Sequence, residues 1–285
     1  MTTLAAALLA VSVLAVTPSA APDPGRPAVR QAAPDLARHV NPFSGTQPGG
    51  PDFGTGGGGG NTFPGAVVPF GMVQWSPDTV ANQPGGYYYS DNRIRGFSLT
   101  HLSGAGCSAA QDLPFMPFVG RVTTSPASDP SRYVSTFSHA HESAAPGYYG
   151  VTLDSGATME LTATQRSGMA RITYPATTEA TLLINVSGSV NGVTDAQVDV
   201  DGNTISGWAT SGRFCGAGNV YRVYFSAAFD TRFGSVGTWH NDAVSTGGTA
   251  VRSGAVPGMS GNPAKPRGTA PAPPAGGRAA PATLT

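Results

Sequence analysis

Apolar and polar residues alternate along several short stretches of this chain. Met159 to Gln165 alternates, as do Ala170 to Tyr174, Gln197 to Val200 and Val220 to Phe225. A period of two sends successive side chains to opposite faces, so each stretch predicts a β-strand with one buried face. Thr181 to Val186 is mostly apolar without alternation and predicts a strand covered on both faces. Between these runs stand Asp154-Ser155-Gly156, Ser167-Gly168, Asn191-Gly192 and Asp201-Gly202-Asn203. Their Asx and Gly residues favour the left-handed conformations of tight hairpins. No stretch holds a period of 3.6. The pattern predicts an all-β fold, an antiparallel sandwich of many strands.

The ends read differently. Leu4 to Val16 is mostly apolar, too short to span a bilayer, and is followed by small residues at Ser19-Ala20-Ala21. Residues 1–21 are therefore expected to be an export signal, and the mature chain to be secreted. Residues 22–39 are a Pro/Ala-rich linker, and residues 40–240 carry the strand signals. Trp239 is the last aromatic residue, and from Ser253 the chain is almost wholly Gly, Ala, Pro, Ser, Thr and Arg. Residues 241–285 are expected to be a low-complexity tail, disordered or translated out of frame, because such a composition buries too little to offset the entropy of ordering it.

Charged residues make up 11% of the 285, and 16 basic side chains balance 16 acidic ones. No concentrated basic surface is available for nucleic acid or an anionic membrane, so neither is expected as a partner. The two cysteines, Cys107 and Cys215, read either as a disulfide of an exported protein or as two separate buried thiols.

Candidate chemistry gathers at a bend, Thr100-His101-Leu102-Ser103-Gly104-Ala105-Gly106-Cys107. Its His, Ser and Cys side chains could converge on a ligand or form a nucleophile pair, but residues this close in sequence rarely present the geometry for a pair, and a hydrogen-bonded loop histidine is the plainer reading. Asp112 follows the bend and is the best local candidate for a polar contact to a ligand. Asp78 and Asp91 follow turn signals and read as turn caps. His139 and His141 share a face if they lie on a strand, but Glu142 would point to the other face, so no third metal ligand is evident. Hydrolysis of a glycoside needs two carboxyl groups, and none of Glu142, Glu160 and Glu179 lies in a motif that would raise its pKa. Phe63, Trp75, Tyr87, Tyr88 and Tyr89 could stack on sugar rings or pack in a β core. The tract Gly54 to Gly60 lacks the Gly-Lys-Ser/Thr of a phosphate loop and reads either as backbone turning close to another group or as a flexible surface loop.

Several blocks in order carry a family resemblance. They are Val40-Asn41-Pro42-Phe43-Ser44-Gly45-Thr46, Asn61-Thr62-Phe63-Pro64-Gly65-Ala66, Val68-Pro69-Phe70-Gly71-Met72-Val73-Gln74-Trp75-Ser76-Pro77-Asp78, Gly86-Tyr87-Tyr88-Tyr89-Ser90-Asp91 and the bend itself, from Ile94 to Cys107. Together they resemble the N-terminal domain of glycoside hydrolase family 92, mainly calcium-dependent exo-acting α-mannosidases. The resemblance implies a supersandwich of galactose-mutarotase type, followed in family members by an (α/α)6 barrel. It implies exo-hydrolysis of α-mannosides with inversion, by a Glu acid, an Asp base and calcium held mostly by that second domain. Asn61, Phe63, His101, Ser103, Gly104, Gly106, Cys107 and Asp112 would then be substrate-binding residues, with no catalytic or metal-binding residue on this chain and no calcium of its own. The expected partners are an α-mannoside or other glycan and the C-terminal catalytic domain. The chain alone is expected to be inactive; the rival expectation is a stand-alone secreted carbohydrate-binding module.

Overall fold

The computed structural model describes residues 34–47, 59–81, 84–104, 106–257 and 279–284. The chain divides into two units after Asp35, and the second is Leu36–Thr285. The expected signal segment, most of the linker and most of the glycine tract lie outside the described residues. The second unit is built from β1 (Ala66–Val67), β2 (Gln74–Thr79), β3 (Arg93–Ser98), β4 (Phe115–Val119), β5 (Ser135–Ala145), β6 (Tyr148–Leu153), β7 (Thr158–Ala163), β8 (Gly168–Thr173) and β9 (Ala180–Ile184). There follow β10 (Gly192–Val193), β11 (Asp195–Asp201), β12 (Thr204–Gly212), β13 (Val220–Ala228), β14 (Val236–His240), β15 (Ala243–Thr246), β16 (Ala250–Ser253), β17 (Val256–Pro257) and β18 (Ala279–Leu284).

These strands make an antiparallel β-sandwich. A 12-stranded sheet runs β15-β14-β18-β9-β4-β3-β5-β6-β7-β8, with β2 and then β1 attached to β3. A 4-stranded sheet runs β13-β12-β11-β16, and β10 pairs β17. The large sheet folds over itself so that β2 packs on β7, while β16 and β11 pack on β18. The predicted alternation is realised in β7, where Met159 and Leu161 are buried and Thr162 is exposed. β9 is apolar because it lies between β4 and β18, with Leu182, Leu183 and Ile184 all in the core. The core also takes Trp75, Phe97, Tyr149 and Trp239. Trp75 keeps its one polar group satisfied by donating Nε1–H to the Phe97 carbonyl at 3.0 Å.

Three sequence expectations need correction. Strands β15, β16 and β17 fall inside the expected tail, so ordered sheet continues past residue 240; residues 258–278 lie outside the described set. Asp78 is no turn cap but a buried residue of β2, whereas Asp91 does cap a turn, accepting from the Ala81 and Arg93 backbone N–H groups. Glu142 meets His139 on one side of the sheet. A register shift in β5 advances Phe137 to Glu142 against only Leu153 to Val151 on β6, which breaks the simple alternation. Its carboxylate, 1% exposed, receives the Tyr87 hydroxyl at 2.9 Å, the Tyr149 hydroxyl at 2.6 Å and His139 Nδ1 at 2.6 Å. Burial and the Glu142 charge raise both phenol pKa values, so both tyrosines stay neutral donors.

Of the bridging motifs, Gly65 bears most directly on the fold. A Cβ there would stand 2.2 Å from the Trp75 carbonyl and 2.3 Å from Ser76 Cβ, where β1 lies against β2. Only a residue without a side chain permits that approach. We expect Gly65→Ala to destabilise the chain by about 3 kcal/mol, seen as a lower urea midpoint at unchanged slope. A shift below about 0.5 kcal/mol, the ordinary range of a surface change, would contradict this packing.

Candidate functional site

The β3–β4 connection builds the site. Its stem is closed by Leu99 N–H to the Asp112 carbonyl at 2.9 Å and Gln111 N–H to the Thr100 carbonyl at 2.8 Å. Its far end is fixed by the disulfide Cys107–Cys215, which resolves the open cysteine assignment and joins positions 108 residues apart. A second tie runs from Gly104 N–H to the Asn61 carbonyl at 2.7 Å. The loop therefore touches both the Asn61-Thr62-Phe63-Pro64-Gly65 segment and the turn between β12 and β13.

His101 sits under this loop, 2% exposed. Phe63 packs on its ring with centroids 4.9 Å apart. Nδ1 lies 2.7 Å from the Gln74 carbonyl, which can only accept, so Nδ1 carries a hydrogen. Nε2 lies 3.0 Å from Asp78 Oδ1. Two lone pairs at that distance would repel, so a proton lies between them. Ser98 donates its hydroxyl to the other Asp78 oxygen. Gly86, at φ +88°, leaves room for the pair; a Cβ there would stand 2.8 Å from the His101 ring. His101 thus joins β2, β3 and the loop.

Asp112 is the second anchor. Its Oδ2 receives the Thr100 hydroxyl at 2.7 Å and the Tyr221 hydroxyl at 2.9 Å. Thr100 Oγ1 in turn accepts the Asp112 N–H at 2.9 Å. Tyr221 belongs to β13 of the small sheet, so the carboxylate clasps that sheet to the loop of the large one.

Between the two lies a groove of about 490 Å³. Gln74, Thr100, Asp112, Asn191, Asn219 and Tyr221 give it polar atoms, and Met72, Leu102 and Phe214 give it apolar ones. His101 also lines it. Backbone strain concentrates around this space. Among the described residues seven non-glycine positions have positive φ, and Ala110, Gln111, Leu113, Arg213 and Cys215 belong to the two segments that face each other across it. Phe70, a sixth, precedes Gly71 and Met72 on its lining. Such conformations persist only where surrounding structure over-determines them, and they cluster at functional sites.

Of the expected site residues, His101 and Asp112 line the groove and Phe63 backs His101. Asn61 holds the loop through its carbonyl, and its buried side-chain Oδ1 has no hydrogen-bond partner among the described residues. Ser103, Gly104, Gly106 and Cys107 lie exposed on the loop beside the groove. Gln74, Asn191, Asn219 and Tyr221 were not singled out from sequence, since nothing local marks them. Trp75 and Tyr87 are core residues. Among the described residues no three His, Cys, Asp or Glu side chains gather as a metal site.

The glycosyl hydrolase family 92 N-terminal domain matches residues 39–263. The chain belongs to that family. A solved family 92 α-mannosidase of Bacteroides thetaiotaomicron is 28% identical with a TM-score of 0.63, over 88% of this chain and 32% of that one. A second solved family 92 glycosyl hydrolase is 26% identical with a TM-score of 0.67, over 88% of this chain and 30% of that one. An uncharacterized secreted glycosidase of Arthroderma benhamiae is 27% identical over 146 residues, 50% of this chain and 18% of that protein. The chain thus spans about a third of the length of the solved family 92 relatives. No helix among the described residues is long and apolar enough to cross a membrane.

Removal from water raises the Asp112 pKa above the ordinary carboxyl value, against the pull of the Thr100, Ser189 and Tyr221 hydroxyls and of His101. Only between the unfolded and the folded pKa does the folded protein keep a proton that the unfolded chain has released; above both, Asp112 is the carboxylate that the hydroxyls hold. The stability that proton gives is complete below the unfolded pKa and is lost as pH rises through the folded one. We expect wild type to lose stability relative to Asp112→Asn as pH climbs through the carboxyl range, read as the difference between their urea midpoints. A difference that stays flat or moves the other way would contradict the burial of this carboxyl.

Proposed function

We propose that this chain is the substrate-positioning N-terminal domain of a secreted exo-α-mannosidase-like glycoside hydrolase, and that the groove is its share of the sugar site. The observation that carries the reading is the groove itself, in which amide and hydroxyl groups alternate with small apolar surfaces and the framing backbone is strained. A pyranose presents the same mixture of hydroxyls and apolar faces. The neighbours that share the fold include a family 92 α-mannosidase solved in complex with mannoimidazole, which supports a mannoside as the ligand class.

In this reading Asn191, Asn219 and Thr100 are placed to hydrogen-bond sugar hydroxyls, and Asp112, already engaged by Thr100 and Tyr221, orders the groove wall. Asn61, Phe63, His101, Ser103, Gly104, Gly106 and Cys107 support that wall and the adjoining loop. The acid and base of hydrolysis, and calcium, would be supplied by a C-terminal (α/α)6 domain. Calcium there would supply positive charge beside the reacting sugar. That second domain would also cover the apolar rim of the groove, where Met72 is 73% and Leu102 46% exposed.

Calorimetric titration with α-mannobiose tests this. We expect binding in the millimolar range, about −4 kcal/mol, weakened about 2–10-fold by Tyr221→Phe through loss of one hydrogen bond that holds the wall. We also expect no mannose release by the chain alone. Release by the pure chain, or no binding at all, would overturn the reading. Micromolar binding untouched by Tyr221→Phe would favour a stand-alone carbohydrate-binding module instead.

A further inference from the structure

The outward face of the small sheet holds a feature the groove does not use. Strand register puts Tyr224 of β13 directly across from Trp208 of β12, Trp208 across from Gln197 of β11, and Gln197 across from Arg252 of β16. Residues directly opposite one another share a face. The next row along carries Arg222, Thr210 and Asp195, and the row on the other side carries Ser226, Ser206 and Asp199. The alternate residues Ala196, Val198, Ile205 and Ala209 are buried in the core. Tyr221 and Val223, which line the groove, have the opposite parity on β13, so the groove and this row lie on opposite faces of one sheet.

The row is accessible and internally braced. Tyr224 is 70% exposed, and Trp208 and Gln197 are half-buried. The Arg222 guanidinium lies 4.0 Å over the Trp208 ring and reaches Asp195 at 3.0 Å, while Arg252 lies 5.6 Å from the same ring. Gln197 Nε2 donates to Asp199 at 2.8 Å. Neighbouring strands stand about 4.8 Å apart, so the exposed Tyr224 ring stands beside Trp208, whose ring carries the Arg222 guanidinium over one face.

We propose that this face is a second carbohydrate-binding site, separate from the groove, which holds a neutral polysaccharide chain across Tyr224 and Trp208. Its charge favours that ligand class over others. Arg222 and Arg252 are matched by Asp195 and Asp199, which leaves no cationic surplus to hold an anionic glycan or a nucleic acid. Four charged side chains at the centre are equally unlike the charge-depleted core of a protein interface. What remains suits a polyhydroxylated surface with apolar ring faces. The site is independent of the mannoside groove and would tether the protein to glycan while the groove engages a chain end.

Affinity electrophoresis of the chain through gels containing soluble α-mannan, β-glucan or xylan tests the proposal. We expect at least one polymer to retard the wild type, and Tyr224→Ala and Trp208→Ala each to weaken that retardation at least tenfold. Trp208 braces two arginines and its loss lowers stability, so Tyr224→Ala, at an exposed position with its melting midpoint checked, carries the decision. Calorimetric binding of α-mannobiose by Tyr224→Ala reports separately on the groove. Retardation that survives Tyr224→Ala, or no retardation by any of the three polymers, overturns the second site and leaves the groove reading standing.

Discussion

A carboxylate removed from water must be held by donors, and in this protein that requirement shapes the groove. Asp112 is 1% exposed and is held by the Thr100 and Tyr221 hydroxyls, the latter from a strand 109 residues away. Leaving such a group unsatisfied costs more than an ordinary hydrogen bond contributes. The donors are therefore obliged to stay in place, and with them the loop of the large sheet and β13 of the small one. The disulfide repeats the same connection a few residues further out on both segments, and closure of so long a loop contributes about 4.7 kcal/mol in the chain-entropy view. Two unlike constraints thus act on one joint.

The other side of the groove depends on His101. Its ring is gripped at Nδ1 by a β2 carbonyl and at Nε2 by Asp78, with Phe63 on its face. The positive-φ residues of both facing segments can be tolerated because these contacts hold them. Backbone that would relax in isolation is kept in a shape set by Asp112 at one wall and His101 at the other. A groove so built is largely formed before any ligand arrives, which lowers the ordering cost of binding.

Much of the fold was legible in the sequence. Strands β7, β8, β11 and β13 follow from alternation, because one face is buried in β7 and β11 and half-buried in β8 and β13, and β9 follows from its uninterrupted apolar run. Short strands in Gly- and Ser-rich sequence were not legible. β15 to β17 lie in composition that signals a tail, and pairing with β14, β11 and β10 overrides it. The meeting of His139 with Glu142 depends on a register shift, which alternation cannot foresee. The motif around His101 and Asp112 was visible, but its partners were not. Asp78 reads locally as a turn residue, and Tyr221 reads as one more strand tyrosine. The Trp208–Tyr224 row exists only once β12 and β13 are in register.

The most direct test of this account is a double-mutant cycle on Asp112→Asn and Tyr221→Phe, read as unfolding free energy at constant pH. If the carboxylate and the phenol clasp the two sheets together, the changes are coupled by about 1–3 kcal/mol, as for residues in one hydrogen-bond network. Additivity within about 0.5 kcal/mol, the behaviour of independent sites, would contradict the clasp and the groove built on it.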